Sequence, residues 1–115
     1  MKLSMKLSAI AIVMVLAACY QSVPKCGDTE TIVLVKQISD REMVTQLGAE
    51  AAKMFSYEVQ AIRTTSTNEK TGEHECAAEL KIKASNGASN SIPITYTVEK
   101  TDDGKQFYVN VFGLK

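Results

Sequence analysis

Alternation of apolar and polar residues dominates the second half of the chain and predicts four β-strands. It is clearest after residue 74, where Cys76, Ala78 and Leu80 share one face and charged residues occupy most of the other. Ile62 interrupts the alternation of the first run, which predicts a β-bulge there. The runs cover residues 55–62, 75–84, 92–99 and 107–112, and the turn-forming segments between them are 68–72, 85–90 and 102–104. The pattern predicts an antiparallel meander.

The segment before these strands follows a different period, which favours a helix. Leu34, Val35 and Ile38 recur at helical spacing, and Asp28 or Thr29 can cap the first turn. β-branched residues are common here, so a strand competes with the helix. We favour the helix because no turn residue closes the segment at the length of a strand.

A second apolar stretch continues the same side of this helix through Met43, Val44 and Leu47. Between the two stretches, residues 39–42 read Ser-Asp-Arg-Glu, the S-x-x-E pattern of a capping box. A capping box at this point could bend the helix or start a new one, and Gly48 weakens the helix further on. One bent helix and two consecutive helices both fit the sequence.

These elements predict an α+β fold in which the N-terminal helix packs on one face of a four-stranded antiparallel meander sheet. The side chains expected beneath the helix are apolar or disulfide-bonded, and they are Cys76, Ala78, Leu80, Ile82 and Ile94. In element order the domain resembles cystatin-like and NTF2-like folds.

The first 18 residues have the organisation of a secretory signal peptide. Lys2 and Lys6 give a basic start, and residues 9–18 form an apolar run that is shorter than the roughly 20 residues of a membrane-spanning helix. The tetrapeptide MKLS occurs twice, so translation can begin at Met1 or at Met5 with a usable signal in either case.

The end of the apolar run, Leu16-Ala17-Ala18-Cys19, resembles the lipobox of bacterial lipoprotein precursors. The resemblance implies cleavage between Ala18 and Cys19, a diacylglycerol group on the Cys19 thiol and acylation of the new N-terminus. Two or more acyl chains anchor a protein stably. Tyr20, rather than Asp, follows the cysteine, a pattern similar to that of outer-membrane lipoproteins. The alternative is an ordinary signal peptide that leaves Cys19 as a free thiol.

The lipobox divides the chain into three parts: a lipoprotein signal peptide at residues 1–18, a lipidated tether at 19–25 and a single small α+β domain at 26–115. Residues 20–25 are polar, contain a proline and can extend over at most about 20 Å. We expect the protein to be lipid-anchored in the bacterial cell envelope, at the outer membrane and facing the periplasm.

Cys26 and Cys76 are the cysteines that remain once Cys19 carries lipid. An exported protein folds in an oxidising compartment, so we expect these two to form a disulfide. Closing a loop of about 50 residues stabilises a fold by about 4 kcal/mol on the chain-entropy estimate. A metal site is the alternative, but the sequence has no C-x-x-C and His74 is its only histidine. We therefore expect no metal and no other cofactor.

The charge balance and the remaining polar residues give no indication of catalysis. Loss of Lys2 and Lys6 with the signal leaves 11 basic against 13 acidic residues, a net charge of −2 that disfavours nucleic acid as a partner. We interpret His74 as a solvated residue at a strand end, and Asp102-Asp103-Gly104 as a hairpin turn rather than paired catalytic carboxylates. The sequence contains no nucleophile motif and no phosphate-binding glycine loop.

The strand pattern places Tyr108 and Phe112 on the opposite side of the sheet from Phe107, together with Thr95 and Thr97. If that side is open, these residues form a contact patch; the alternative is that a small curved sheet half-covers them. We expect a non-catalytic domain that binds another envelope macromolecule, most simply a protein, or has a structural role. The competing hypothesis is a periplasmic carrier or small enzyme with an apolar pocket between helix and sheet.

Overall fold

The computed structural model describes residues 23–114, which form an α+β fold with the helices before the strands. The elements are α1 (Thr29–Leu47), α2 (Ala49–Ala52), β1 (Phe55–Thr67), β2 (His74–Ala84), β3 (Ser89–Lys100) and β4 (Phe107–Phe112). The strands form one antiparallel sheet in the order β1-β2-β3-β4, and α1 packs on one of its faces. The predicted fold class and the predicted meander are therefore confirmed.

Helix α1 begins after Asp28 and continues without interruption for 19 residues. Asp28 occupies the N-cap position, but its carboxylate accepts a hydrogen bond from the Lys25 backbone N–H (2.9 Å) instead of capping the helix. The helix also continues through residues 39–42, so it does not restart at the predicted capping box. The Ser39 hydroxyl is buried there and donates to the Val35 carbonyl oxygen (2.8 Å), which satisfies it inside the helix.

The interruption lies at Gly48 instead. This glycine has a φ of 91°, which residues with a Cβ atom rarely adopt, and its N–H donates to the Val44 carbonyl oxygen (2.8 Å) at the helix end. The short helix α2 follows immediately. Of the two arrangements that the sequence left open, two consecutive helices are therefore the one that forms.

Helix α1 buries a narrow stripe of side chains against the sheet. The stripe residues recur three or four positions apart and are Thr31, Leu34, Val35, Ile38 and Ser39. The predicted continuation through Val44 and Leu47 is wrong, because these side chains are 37% and 51% exposed. Val44 lies nine positions after Val35, which is about two and a half helical turns, and therefore points to the opposite side of the helix.

Alternate residues of the two central strands face α1 and form the core. These residues are at most 2% exposed, and they are Cys76, Ala78, Leu80, Ile94, Tyr96 and Val98. Ile82 is partly buried at the margin of the same cluster. The inward positions predicted from the alternation are confirmed, and Tyr96 is the largest of the fully buried side chains.

Strand β1 departs from regular pairing at the point that the sequence indicated. Between Gln60 and Arg63 it has two residues, Ala61 and Ile62, opposite the single residue Ala78 of β2. Ala61 has a φ of 53°, and the extra residue turns Ile62 toward the core, where it is partly buried. The predicted bulge at Ile62 is confirmed.

The folded part of the chain begins earlier than predicted. Val23 lies inside the predicted tether 19–25, yet it is 2% exposed and belongs to the core. It packs on the turn between β1 and β2, where a Cβ atom on Gly72 would lie 3.1 Å from a Val23 methyl. The predicted boundary at Cys26 is therefore at least three residues too late. A single valine before a proline has no period, so the sequence pattern did not reveal its burial.

Candidate functional site

An exposed aromatic pair lies on the sheet face that points away from α1. The side chains of β4 alternate between the two faces of the sheet. Val109 is buried on the helix side, whereas on the other side Tyr108 is 46% exposed and Phe112 is 57% exposed. In register, Glu99 of β3 lies opposite Tyr108, and Thr95 lies opposite Phe112. Both rings therefore project from the open face at the edge of the sheet.

The four residues predicted as a contact patch lie on this one surface, which we call the β4 patch (Thr95, Thr97, Tyr108 and Phe112). Thr95 is exposed and Thr97 is half-buried. Thr97 pairs with Asn110, which lies between the two aromatic residues on β4. The patch therefore combines two half-exposed rings with the hydroxyl groups of the neighbouring strand.

The pKa of Tyr108 is raised above its usual value. A hydrogen bond to the Glu99 side chain raises the pKa of Tyr108, and the negative charges of Glu99, Asp102 and Glu73 raise it further. Glu73 lies in the β1–β2 turn and Asp102 in the β3–β4 turn, and the meander order of the strands places both turns at the same end of the sheet. The β4 patch thus has an acidic rim at one end of the sheet.

The neighbouring half of the same open face is charged rather than apolar. Glu58 of β1 and Lys81 of β2 are opposite each other in register, and the Lys83 Nζ atom lies 3.5 Å from the Glu58 Oε2 atom. The side chains of this ion pair are half-exposed, so the pair contributes little to stability. The large apolar side chains of this face are therefore concentrated on its β4 edge.

Cys26 and Cys76 form a disulfide, with their Cα atoms 5.8 Å apart, and both residues are buried. The predicted pair is thereby confirmed, and it attaches the segment before α1 to the start of β2. The Tyr96 hydroxyl donates to the Cys26 carbonyl oxygen (2.8 Å), and the Thr64 hydroxyl donates to the Cys26 Sγ atom (3.3 Å). Neither cysteine of residues 23–114 is a free thiol, so this cluster is structural.

Tyr96 is the member of this cluster that the sequence analysis missed. Burial raises the pKa of Tyr96 to about 12. A tyrosine at an inward position of a central strand needs a hydrogen-bond partner, and this requirement was the signal available in the sequence. The partner is a backbone oxygen 70 positions earlier, which no local pattern identifies.

A small cavity lies between α1 and the sheet. The cavity there is lined by residues that include Met43, Tyr57 and Leu80, and it has a volume of about 30 Å³. That volume holds about one water molecule, whereas ligand pockets usually have about 300 Å³ or more. This cavity is therefore too small for a ligand of the kind that the carrier hypothesis requires.

A wider cleft lies outside the helix, beside the edge strand β1. It is open to solvent, has a volume of about 550 Å³ and is lined by residues that include Lys36, Arg41 and Val44. At its base the Tyr57 hydroxyl donates to the Asp40 Oδ1 atom (3.3 Å). Desolvation, and then the Asp40 carboxylate, raise the pKa of Tyr57 to about 12. Because the cleft is open to solvent, it is a surface groove and not an enclosed ligand site.

The residues considered for catalysis have structural contacts instead. His74 is the first residue of β2, and its Nδ1 atom lies 3.0 Å from the Thr67 hydroxyl across the hairpin. Asp103 lies in the β3–β4 turn, where its carboxylate accepts hydrogen bonds from the Thr101 hydroxyl (2.7 Å) and the Lys105 backbone N–H (3.0 Å). These bonds hold the pKa of Asp103 below its usual value. In the part of the chain that the structure describes, no group of three or more His, Cys, Asp or Glu residues is placed to hold a metal ion.

The lipidation site Cys19 and the cleavage position after Ala18 lie outside residues 23–114 and stay predictions. Within those residues, neither helix is long and apolar enough to cross a bilayer. No protein-family model, curated protein or solved structure matches the chain.

Proposed function

We propose that this chain is a lipid-anchored protein of the bacterial cell envelope whose α+β domain binds a protein partner through the β4 patch. The observation that carries the proposal is the exposure of Tyr108 and Phe112 on a sheet face that points away from the helix. Cys19 carries the lipid and holds the domain at the outer membrane on its periplasmic side. The domain itself acts by binding and not by catalysis.

The support for the anchor comes from the order of features at the N-terminus. Lys2 and Lys6 precede an apolar run, and the run ends in the lipobox 16–19. A thioether-linked diacylglycerol and an acylated N-terminus together give enough buried methylene groups for stable attachment, at about 0.8 kcal/mol each. Tyr20 after the cysteine supports the outer membrane as the destination.

The support for the β4 patch comes from its composition and its rim. Aromatic side chains supply most of the binding energy in many protein interfaces, and the rings of Tyr108 and Phe112 are already positioned by a strand. The carboxylates near the Tyr108 hydroxyl favour a partner that presents Lys or Arg beside an apolar pocket. The partner chemistry that fits is therefore a protein surface with an apolar centre and basic margins.

The small size of the cavity between α1 and the sheet favours this proposal over the carrier hypothesis. A carrier needs an enclosed apolar pocket, and the cavity between α1 and the sheet measures about 30 Å³. The open sheet face, by contrast, needs no rearrangement before a partner can contact it.

Labelling of the precursor with radioactive palmitate tests the anchor. Cys19→Ser should abolish the label and release the protein from the membrane fraction. The matched control is the double variant Cys26→Ser/Cys76→Ser, which loses the disulfide and should keep the label. Continued labelling of the Cys19→Ser protein would contradict the proposed anchor.

Photocrosslinking in intact envelopes tests the β4 patch. A photoreactive phenylalanine analogue at position 112 should give a discrete crosslinked protein band, because the ring there is the most exposed of the patch. The control places the same analogue at Val33, an exposed residue of α1. A band from position 33 with none from position 112 would show that the partner binds the helix side instead.

A further inference from the structure

The first described residues are fixed at one end of the sheet. Val23 is buried against Gly72 of the β1–β2 turn. Three residues later, Cys26 is bonded to Cys76, and Tyr96 donates a hydrogen bond to the Cys26 carbonyl oxygen. The point at which the chain enters the domain is therefore held by packing, a covalent bond and a hydrogen bond.

The turns of a meander alternate between the two ends of its sheet. The β1–β2 turn (68–73) and the β3–β4 turn (101–106) lie at one end, and the β2–β3 turn (85–88) lies at the other. Glu73 and Asp102 both act on Tyr108, which agrees with the first two turns being neighbours. Because Val23 packs on Gly72, the chain enters the domain at the end with these two turns, which we call the anchor end.

The buried position of Val23 shortens the tether. Four peptide units separate Cys19 from Val23, and they span at most about 14 Å. Strand β2 has 11 residues and separates the anchor end from the β2–β3 turn by about 33 Å. We infer that the lipid on Cys19 holds the anchor end close to the bilayer surface while the β2–β3 turn lies, on average, much further out. This orientation rests on the proposed attachment at Cys19.

Charge supplies no second attachment at the anchor end. The ionisable side chains of its two turns are Glu69, Glu73, Asp102 and Asp103, together with Lys70 and Lys105. Exposed Lys25 of the entering segment and Lys100 at the end of β3 lie next to these turns. The charges at this end are therefore mixed, whereas membrane-binding surfaces are clusters of basic residues. The short tether is therefore the attachment that keeps the anchor end near the bilayer.

The orientation also limits where a partner of the β4 patch can lie. Tyr108 pairs with Glu99 near the anchor end, and Phe112 pairs with Thr95 in the middle of β3. The patch thus lies on the side of the domain, in its membrane-proximal half, where the bilayer does not cover it. A partner that contacts the patch therefore lies beside the membrane-proximal half of the domain.

Energy transfer in proteoliposomes tests the orientation. The full lipidated protein carries a donor dye on a non-natural amino acid, placed either at Lys70 in the anchor end or at Asn86 in the β2–β3 turn, both exposed positions. The vesicles contain phosphatidylethanolamine, phosphatidylglycerol and an acceptor-labelled lipid. The donor at position 70 should lose a larger share of its emission than the donor at position 86. Equal or greater loss at position 86, with the protein bound, overturns the orientation.

Two further readouts separate this inference from the anchor on which it rests. If the protein fails to float with the vesicles, the attachment at Cys19 is wrong and the inference falls with it. If it floats, insertion of about ten Gly and Ser residues between Ser22 and Val23 adds about 18 Å of average reach. The insertion should then reduce the loss of donor emission at position 70. The difference in emission loss between positions 70 and 86 should become smaller. An unchanged loss at position 70 would show that the tether does not set the distance.

Discussion

The Tyr96 hydroxyl donates a 2.8 Å hydrogen bond to the Cys26 carbonyl oxygen, and so connects the centre of the sheet to the segment that the disulfide holds. Tyr96 is fully buried, and the disulfide joins the same Cys26 to Cys76 on the neighbouring strand. The attachment of the N-terminal segment to the sheet therefore has a covalent part and a hydrogen-bonded part, which can be removed separately.

Tyr96→Phe removes only the hydroxyl and should lower the free energy of unfolding by about 1–3 kcal/mol. The cause is the Cys26 carbonyl oxygen, which loses this donor while it stays buried. Urea unfolding of the Cys19→Ser protein, which avoids the lipid, measures the loss. Tyr108→Phe is the control on an exposed tyrosine and should change the free energy by less than about 0.5 kcal/mol. Equal effects of the two variants would contradict the assigned role of Tyr96.

The ionisation of Tyr96 sets an alkaline limit to stability. Its pKa is raised by burial from 10.0 to about 12, so the folded state holds the proton more tightly than the unfolded state. The contribution of protonated Tyr96 to the free energy of unfolding is fully present below pH 10. It is lost as the pH rises through about 12, and its size is on the order of 2 kcal/mol. Urea titrations at pH 9 and at about pH 11.5 measure it.

Tyr96→Phe should weaken this alkaline dependence without abolishing it. Tyr57, whose pKa is also raised to about 12, contributes a smaller part because it is only half-buried beside Asp40. A Tyr96→Phe protein with the same loss of stability between the two pH values as the parent would contradict the assignment.

Removal of the disulfide should lower the free energy of unfolding by about 4 kcal/mol, the chain-entropy value for a loop of about 50 residues. The variant Cys26→Ala/Cys76→Ala tests this without leaving a reactive thiol, and thermal unfolding with and without a reductant provides the measurement. The parent should shift to a lower melting temperature in the reductant, whereas the double variant should not respond to it. Insensitivity of the parent would mean that the bond does not form in solution.

Relief of the backbone strain at Ala61, in the bulge of β1, should stabilise the domain. Ala61 has a φ of 53°, a conformation that costs a residue with a Cβ atom about 1 kcal/mol and costs glycine almost nothing. Ala61→Gly should therefore raise the free energy of unfolding by up to about 1 kcal/mol, against the usual effect of glycine in a strand. Ala77→Gly on β2 is the matched control, and it should lower the value by about 0.5–1 kcal/mol. Destabilisation by both variants would mean that Ala61 is not strained.

The sequence predicted the sheet well because each strand follows one simple period. Burial of alternate residues from Cys76 to Leu80 follows directly from it, and even the bulge at Ile62 appears as a break in the alternation. The helix was harder, because apolar residues occupy more of its circumference than the narrow stripe that the sheet covers. Val44 was assigned to the wrong side for this reason, and only the packed structure sets the phase of the helix.

The β4 patch could be predicted from the alternation of side chains along a strand. Phe107, Val109 and Val111 face the core, so Tyr108 and Phe112 face the other way. The acidic rim of the patch could not be predicted, since Glu73 and Tyr108 are brought together by two turns that are far apart in the sequence. The burial of Val23 depends in the same way on a distant turn. Contacts of this kind depend on the register of the whole sheet, which local patterns do not specify.

Loss of the aromatic rings from the β4 patch should abolish partner binding and leave the fold intact. The double variant Tyr108→Ser/Phe112→Ser removes two side chains that are half-exposed, so the free energy of unfolding should change by only about 1 kcal/mol. Because position 112 is changed in this variant, the photoreactive residue is placed at Thr95, which lies opposite Phe112. From this position the parent should give the crosslinked band and the double variant should not. Val33→Ser/Leu47→Ser is the matched control, because it removes two exposed apolar side chains from α1. That control should keep the band, and its loss in both double variants would show that general surface hydrophobicity, and not the β4 patch, attracts the partner.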